Sequence, residues 1–374
     1  ENVELAYDLR DWSTPSADVL EAGLYEPYAV QSIVVDGAMP HPTVLVQSAA
    51  MASVAPPKPT YRPHLPLSVI EDGILSDAQL ESVVYAGEAH AQLLGGTFTV
   101  NETFDSVEHA AEGTENAVQF RRGFYLGDGT GAGKGRQVAG IVLDNWLKGR
   151  RKALWISKSD KLLEDAQRDW AALGQEKLQI VPLSRFKQGT FVTLTEGILF
   201  TTYATLRSDE RQGRDGVVKA SRLRQVIDWL NGTAPVVASN GPKPGTDNSV
   251  VMPFSAGGSI GSLDAAGSTG FVRPVQSAIS ATAGCRAPSP MASSVSTFDG
   301  VIVFDEAHAM ANAAGEKGER GDKAASQQGK AGLRLQNALP QARVLYVSAT
   351  GATTVSNLAY ATRLGLWGST DMPF

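Results

Sequence analysis

QFRRGFYLGDGTGAGKGRQVAGIVLDNWLKG, residues 119–149, reads as a short apolar strand, a glycine-rich turn and a helix. FRRGFYL is the strand candidate and GDGTGAGKG, Gly127–Gly135, is the turn. A helical pattern covers Lys134–Lys148, with Val138, Ile141, Val142 and Trp146 inward. Gly149 stops it, and Lys148, Arg150 and Arg151 stand at the negative end of the helix dipole. A strand, a glycine-rich loop and a helix in that order form the context of a phosphate loop. Glycines let backbone N–H groups curl around phosphate oxygens, and the helix N-terminus adds partial positive charge. Lys134 is expected to neutralise the β and γ phosphates as a point charge. The expected cradle is Gly129, Thr130, Gly131, Ala132, Gly133, Lys134, Gly135 and Arg136. Two positions depart from the usual pattern. Asp128 stands where the first glycine is normal, and Gly135 stands where a Ser or Thr hydroxyl usually ligates magnesium. The metal would then rely on Asp305 and water, or recruit Thr130.

Downstream, VIVFDEAH, residues 301–308, is an apolar strand ending in two adjacent carboxylates. Parallel sheets bind ligands at the carboxyl ends of their strands. Asp305 is expected to hold magnesium, directly or through water. Glu306 is expected to orient and deprotonate the attacking water, and His308 to couple the site to its neighbours. A four-residue motif alone could be a solvated acidic turn; the phosphate loop upstream in the same alternating region decides against that.

The stretches between and around these motifs fit one α/β layer. KALWIS, LQIVPL, GILFTTY, VIVF and RVLYVSAT read as strands. Helical patterns cover Ser76–Leu94, Asp160–Leu173, Ala220–Leu230, Ala331–Leu339 and Val355–Leu364. Alternation of this kind predicts parallel strands with crossover helices, and continuously apolar strands predict a sheet covered on both faces. Residues 1–66 read as an irregular, proline-rich extension, and residues 67–374 as the α/β lobe, interrupted by a Ser, Gly, Ala and Pro-rich insertion at 233–297. Such a composition cannot bury much surface. The loop Gly315–Gly329, with Glu316, Lys317, Glu319, Arg320 and Lys323, reads as solvated.

Composition narrows the class. The 374 residues carry a formal charge of −6, which gives no broad basic face for nucleic acid but leaves room for a local one. Cys285 is the single cysteine, so an internal disulfide is excluded and a reducing compartment is expected. His41, His64, His90 and His109 lack zinc-ligand spacing and read as structural or surface residues. No apolar run reaches the roughly 18 residues of a membrane span. The polar start ENVELAYDLR reads as no signal peptide, and opening on Glu1 suggests a fragment.

The order phosphate loop, TTY strand end, DEAH, SAT resembles the first RecA-like lobe of superfamily 2 helicases. Ser348, Ala349 and Thr350 match the SAT motif, which the resemblance assigns to coupling between the ATP site and nucleic acid. LSDAQLESV is similar to the adenine-reading segment of Snf2-like members and points to Gln79. KALWISKS and GILFTTYATL resemble strand-end segments that touch a nucleic-acid backbone, which points to Lys158, Thr201 and Thr202. GDGTGAGKGRQVAGI, SKSDKLLEDAQRDW, VIVFDEAHAMAN and LYVSATGATTVSNLAY resemble the Strawberry notch family of helicase-like ATPases. The Gly-Lys-Gly departure resembles that family's own loop, and PHPTVLVQSAAMASVAPPKPTYRPHLP resembles its bacterial and phage branch.

The resemblance implies a RecA-like P-loop lobe using ATP and Mg2+. It also implies a nucleic-acid partner, DNA ahead of RNA, and an intracellular setting in a bacterium or phage, without a membrane. It implies a second RecA-like lobe that supplies arginine fingers, worth about 10³–10⁵ in rate; that lobe is not found before Phe374, so slow turnover is expected of this chain alone. An ATP-switched scaffold is the alternative to a helicase or translocase. A transport or assembly motor is a third, disfavoured by SAT and Gln79. The clusters Arg121, Arg122, Lys148, Arg150, Arg151 and Lys152 read as solvated helix-end charges, and Trp146, Trp155 and Trp170 as core.

Overall fold

In the computed structural model, six strands form one parallel sheet. They are β1 (Phe124–Leu126), β2 (Lys152–Ser157), β3 (Ile180–Pro182), β4 (Gly197–Thr202), β5 (Val301–Asp305) and β6 (Arg343–Val347). Their order is β3-β4-β2-β5-β6-β1. The structure describes residues 1–13, 25–175, 177–207, 211–212, 218–232, 295–313, 315, 324–349 and 355–367. Glu1–Pro235 and Ser294–Phe374 form one unit; Val236–Ser293, most of the expected insertion and Cys285 with it, separate as a second and lie outside the described residues. The charged residues of the 315–329 loop also lie outside them.

The sheet has two dry faces because its central strands carry continuous apolar runs, such as Ala153–Ile156 and Val301–Phe304, that bury side chains on both sides. On one face Trp155, Phe200, Val303 and Leu345 pack under α1 (Asp77–His90), α2 (Lys134–Leu147) and α3 (Leu163–Ala171). On the other, Leu154, Ile156, Leu199, Phe304 and Tyr346 pack under α4 (Arg222–Asn231) and α5 (Gln327–Ala338). The fold is therefore the α/β, RecA-like P-loop architecture expected from the alternation.

Register places the motifs. Leu126 pairs with Val347, and Val347 with Asp305. The loop after β1, the SAT segment after β6 and the acidic turn after β5 therefore leave the sheet from one row at its carboxyl edge.

Two expectations need amending. Residues 1–13 and 25–66 are woven into the lobe. Asn2–Glu4 pairs antiparallel with His64–Pro66, and Leu5, Tyr7, Ile33 and Leu65 enter the core beneath α1 and α2. Asp144, buried in α2, accepts from Tyr61 Oη at 2.6 Å and from the His64 N–H at 2.7 Å, which satisfies an otherwise costly buried carboxylate. The helix expected over Val355–Leu364 is two single 3₁₀ turns, Val355–Leu358 and Thr362–Leu364. Arg363, in the second of these turns, ties the segment to neighbouring elements. Its carbonyl accepts from Gly123 N–H at 2.7 Å, while its buried guanidinium donates to Gln336 O at 2.7 Å and Leu339 O at 2.9 Å, capping the end of α5. No helix among the described residues is long and apolar enough to cross a membrane.

Candidate nucleotide site

The phosphate loop takes its shape from glycine backbone and two buried carboxamides. Gly131 (φ 95°) and Gly133 (φ 69°) adopt the left-handed region that glycine alone enters freely. Gly133 is the residue before α2, and a Cβ there would lie 2.4 Å from Gln79 Nε2. Gln79 reaches the loop from the first turn of α1. Its Oε1 accepts from Ser76 N–H at 3.0 Å, completing a capping box with the Ser76 side chain, and its Nε2 donates to Ala132 O at 3.1 Å. Gln137, one turn into α2, donates to the same Ala132 carbonyl at 3.0 Å and to Asp128 Oδ2 at 2.9 Å. In a trans peptide the C=O and the following N–H point opposite ways. Two amides drawing the Ala132 carbonyl inward therefore turn the Gly133 N–H toward the loop's hollow. Lys134 Nζ donates to the carbonyls of Asp128 (2.9 Å) and Gly129 (3.0 Å), so the ammonium lies within the curl of the loop. Thr130 is exposed on its rim. Gln137 was not among the expected site residues; its position three after Lys134, on the buried face of α2, was the available signal.

Across the row, Asp305 ends β5. Its Oδ2 accepts from Ser157 Oγ at 2.9 Å, its Oδ1 from the Glu306 N–H at 3.0 Å, and its carbonyl from Tyr203 Oη at 2.8 Å. Burial raises the Asp305 pKa, with the Ser157 hydrogen bond opposing it. Glu306 follows in the left-handed region (φ 50°, ψ 47°), rare for a residue with a side chain and a form of strain found at working sites. His308 Nδ1 stands 3.2 Å from Glu306 Oε2 and 3.2 Å from Ser348 Oγ. The expected coupling residues His308 and Ser348 thus meet, with the expected base as third member; Thr350 lies outside the described residues. Ser157 and Tyr203 were missed. Ser157 was legible as the last residue of the strand beside the acidic one, whereas Tyr203 needs the tertiary fold.

These donors fit a magnesium ion. They are hard oxygens, and among the described residues no group of three or more His, Cys, Asp or Glu side chains converges to cage an ion. Magnesium takes one or two carboxylates and draws its remaining ligands from phosphate and water.

The expected nucleic-acid contacts divide. Lys158 is exposed just beyond β2. Thr201 and Thr202 are 3% and 4% exposed, and the structure corrects their placement. Thr202 is the N-cap of the turn Tyr203–Leu206, accepting from Thr205 N–H at 3.2 Å, so its hydroxyl serves the fold. Thr201 is buried on the opposite face of the strand, because the sheet is covered on both sides. The basic clusters are largely engaged within the fold: Arg121 with Gln341 and the His90 carbonyl, Arg150 with Asp299, Lys148 with Asp144, Lys152 with the Trp229 carbonyl. Trp155 and Trp170 are core residues; Trp146 is half-buried beneath the Arg151 guanidinium.

A family model described as "P-loop containing NTP hydrolase pore-1" matches residues 40–238 and 293–374. Among curated proteins, the chain is 32% identical over 333 residues to protein strawberry notch of Drosophila melanogaster, covering 88% of this chain and 15% of that one. It is 33% identical to human strawberry notch homolog 2 over 328 residues (88% and 16%). It is 31% identical to protein FORGETTER 1 of Arabidopsis thaliana over 334 residues (88% and 18%). The chain thus spans less than a fifth of the length of these relatives. With its phosphate loop and acidic strand end set on one row of a parallel sheet, and with the family model matching most of its length, the chain belongs to the P-loop containing NTP hydrolases of the pore-1 family.

Proposed function

We propose that this lobe binds ATP with magnesium and is the first RecA-like half of a nucleic-acid-dependent ATPase of superfamily 2, a helicase or DNA translocase. The observation that carries the reading is the contact chain Glu306–His308–Ser348, which joins the hydrolytic turn after β5 to the SAT segment after β6. A binding-only fold needs no such link. Lys134 and the N–H groups of the loop would hold the β and γ phosphates. Asp305, oriented by Ser157, would hold the magnesium ion, which neutralises phosphate charge when bound. Glu306 would take the proton of the attacking water, and His308 would report its state to Ser348 and Thr350. Gln79 would read the adenine while buttressing the loop at Ala132. Arg136 would border the nucleotide, and Lys158 would contact nucleic-acid phosphate. A second RecA-like lobe would supply the arginine that completes the transition-state clamp.

The test is ATPase activity of a protein carrying both lobes, with and without single- and double-stranded DNA, beside Lys134→Ala. DNA-stimulated hydrolysis lost in the variant supports the reading. ATP affinity without stimulation, with cellular output intact in Glu306→Gln, supports the ATP-switched scaffold instead.

A further inference from the structure

We propose that Asp169, projecting from α3, supplies the metal-side oxygen that residue 135 lacks, so that the phosphate loop of this chain is completed by a carboxylate from a neighbouring helix. The inference rests on the reading of the site as one for ATP and magnesium.

Gly135 is the second residue of α2, where a phosphate loop normally carries its metal-ligating hydroxyl. A Cβ built on Gly135 would lie 2.1 Å from Asp169 Oδ2. No side chain fits at 135 while Asp169 is in place: the space that a serine or threonine would fill is already held by a carboxylate oxygen. Beside residue 135, a carboxylate oxygen thus stands where the usual loop has a hydroxyl.

Placement agrees. α2 and α3 pack on the same sheet face, with Ala166 and Trp170 in one core with Trp155 and Val303. Side chains alternate along a strand, so Ser157, two beyond Trp155, and Asp305, two beyond Val303, lie on that face as well. Asp169 therefore shares a face with both residues of the proposed metal site.

The charge of Asp169 is incompletely matched. Its side chain is 18% exposed, and its one ion-pair partner among the described residues, Arg136, stands at 3.6 Å, beyond hydrogen-bond distance. Another nitrogen of Arg136, Nη1, donates to Ile74 O at 3.2 Å. Burial raises the Asp169 pKa despite Arg136. Arg168 adds a second nearby positive charge, yet the net effect of burial still raises the pKa, and a desolvated carboxylate can accept a further cation.

The experiment is a titration of free Mg2+ against binding of a fluorescent ATP analogue, on the wild-type chain, Asp169→Asn, Asp169→Ala, Gly135→Ser and the double variant Asp169→Ala/Gly135→Ser. Asp169→Asn keeps the shape and removes the charge. It should raise the Mg2+ midpoint about tenfold, the scale on which carboxylates around a metal tune its affinity. Asp169→Ala should do the same, and the double variant should recover the midpoint, because a serine hydroxyl then occupies the vacated space. Gly135→Ser alone should be impaired by the overlap with Asp169. A purely structural role for Asp169 would alter unfolding midpoints and leave the Mg2+ midpoint in place; an unchanged midpoint in Asp169→Asn overturns the proposal, as does a double variant no better than Asp169→Ala. A wild-type chain whose ATP binding shows no magnesium dependence overturns the underlying metal reading instead, and this proposal with it.

Discussion

Gly133→Ala probes the loop's construction because two separable penalties fall on one methyl group. The residue sits at φ 69°, where an L side chain costs about 1–2 kcal/mol. The same Cβ would lie 2.4 Å from Gln79 Nε2, so the carboxamide must retreat and give up its 3.1 Å bond to Ala132 O. Losing such a bond costs about 1 kcal/mol. The sum, about 2–3 kcal/mol, should appear as lost stability in urea unfolding followed by tryptophan fluorescence. In a Gln79→Ala background the carboxamide is already gone, and Gly133→Ala should cost only the backbone term. The double-mutant cycle should therefore show a coupling of about 1 kcal/mol between the two positions. The same coupling should reach ATP affinity as a factor of about five, since 1.4 kcal/mol is tenfold. Equal cost of Gly133→Ala in both backgrounds would refute the claim that Gln79 buttresses the loop.

Asp305→Asn tests the desolvated carboxylate. A raised native pKa means the folded state holds its proton where the unfolded state has released it, so stability falls as pH rises through the window from the ordinary carboxylate pKa up to the raised one. Asp305→Asn should flatten that slope and make the nucleotide-free chain more stable at neutral pH, while removing magnesium-dependent ATP binding; an unchanged slope in pH-dependent urea unfolding would count against it. Thr202→Ala should cost about 1 kcal/mol of stability as a lost N-cap and leave nucleic-acid binding unchanged, measured on the same protein by unfolding and by fluorescence anisotropy. Lys158→Ala should do the reverse, reducing the salt dependence of nucleic-acid binding by about one phosphate contact with no loss of stability.

The phosphate loop, the acidic strand end and the alternating layers were legible because each is written locally. A glycine pattern, a hydrophobic run with two acids, and strand and helix periods need no tertiary knowledge. Ser76 likewise marked the start of the helical pattern over α1, which it caps. What stayed hidden depends on residues distant in sequence. Gly135 read as a defect in its own motif; only α3, packed alongside, shows Asp169 in the same space. Thr201 and Thr202 looked available because strand ends often serve ligands, yet the covered sheet buries Thr201 and the following turn takes Thr202 as its cap. The segment expected as a helix over 355–364 is two short 3₁₀ turns, the second tied to α5 through Arg363, a contact that the local pattern does not carry. Proline in the first 66 residues suggested an irregular extension lying on another surface or a linker, and Leu5, Tyr7, Ile33 and Leu65 are apolar anchors that the core beneath α1 and α2 takes up.

The most direct test of the central claim is equilibrium binding of a fluorescent ATP analogue to this 374-residue chain with and without Mg2+, for wild type, Lys134→Ala and Glu306→Gln. The account predicts saturable, magnesium-strengthened binding by wild type, loss in Lys134→Ala, and retention in Glu306→Gln, because Glu306 acts on the water and not on the nucleotide. Binding that survives Lys134→Ala undiminished, or no binding by the wild-type chain, would contradict it.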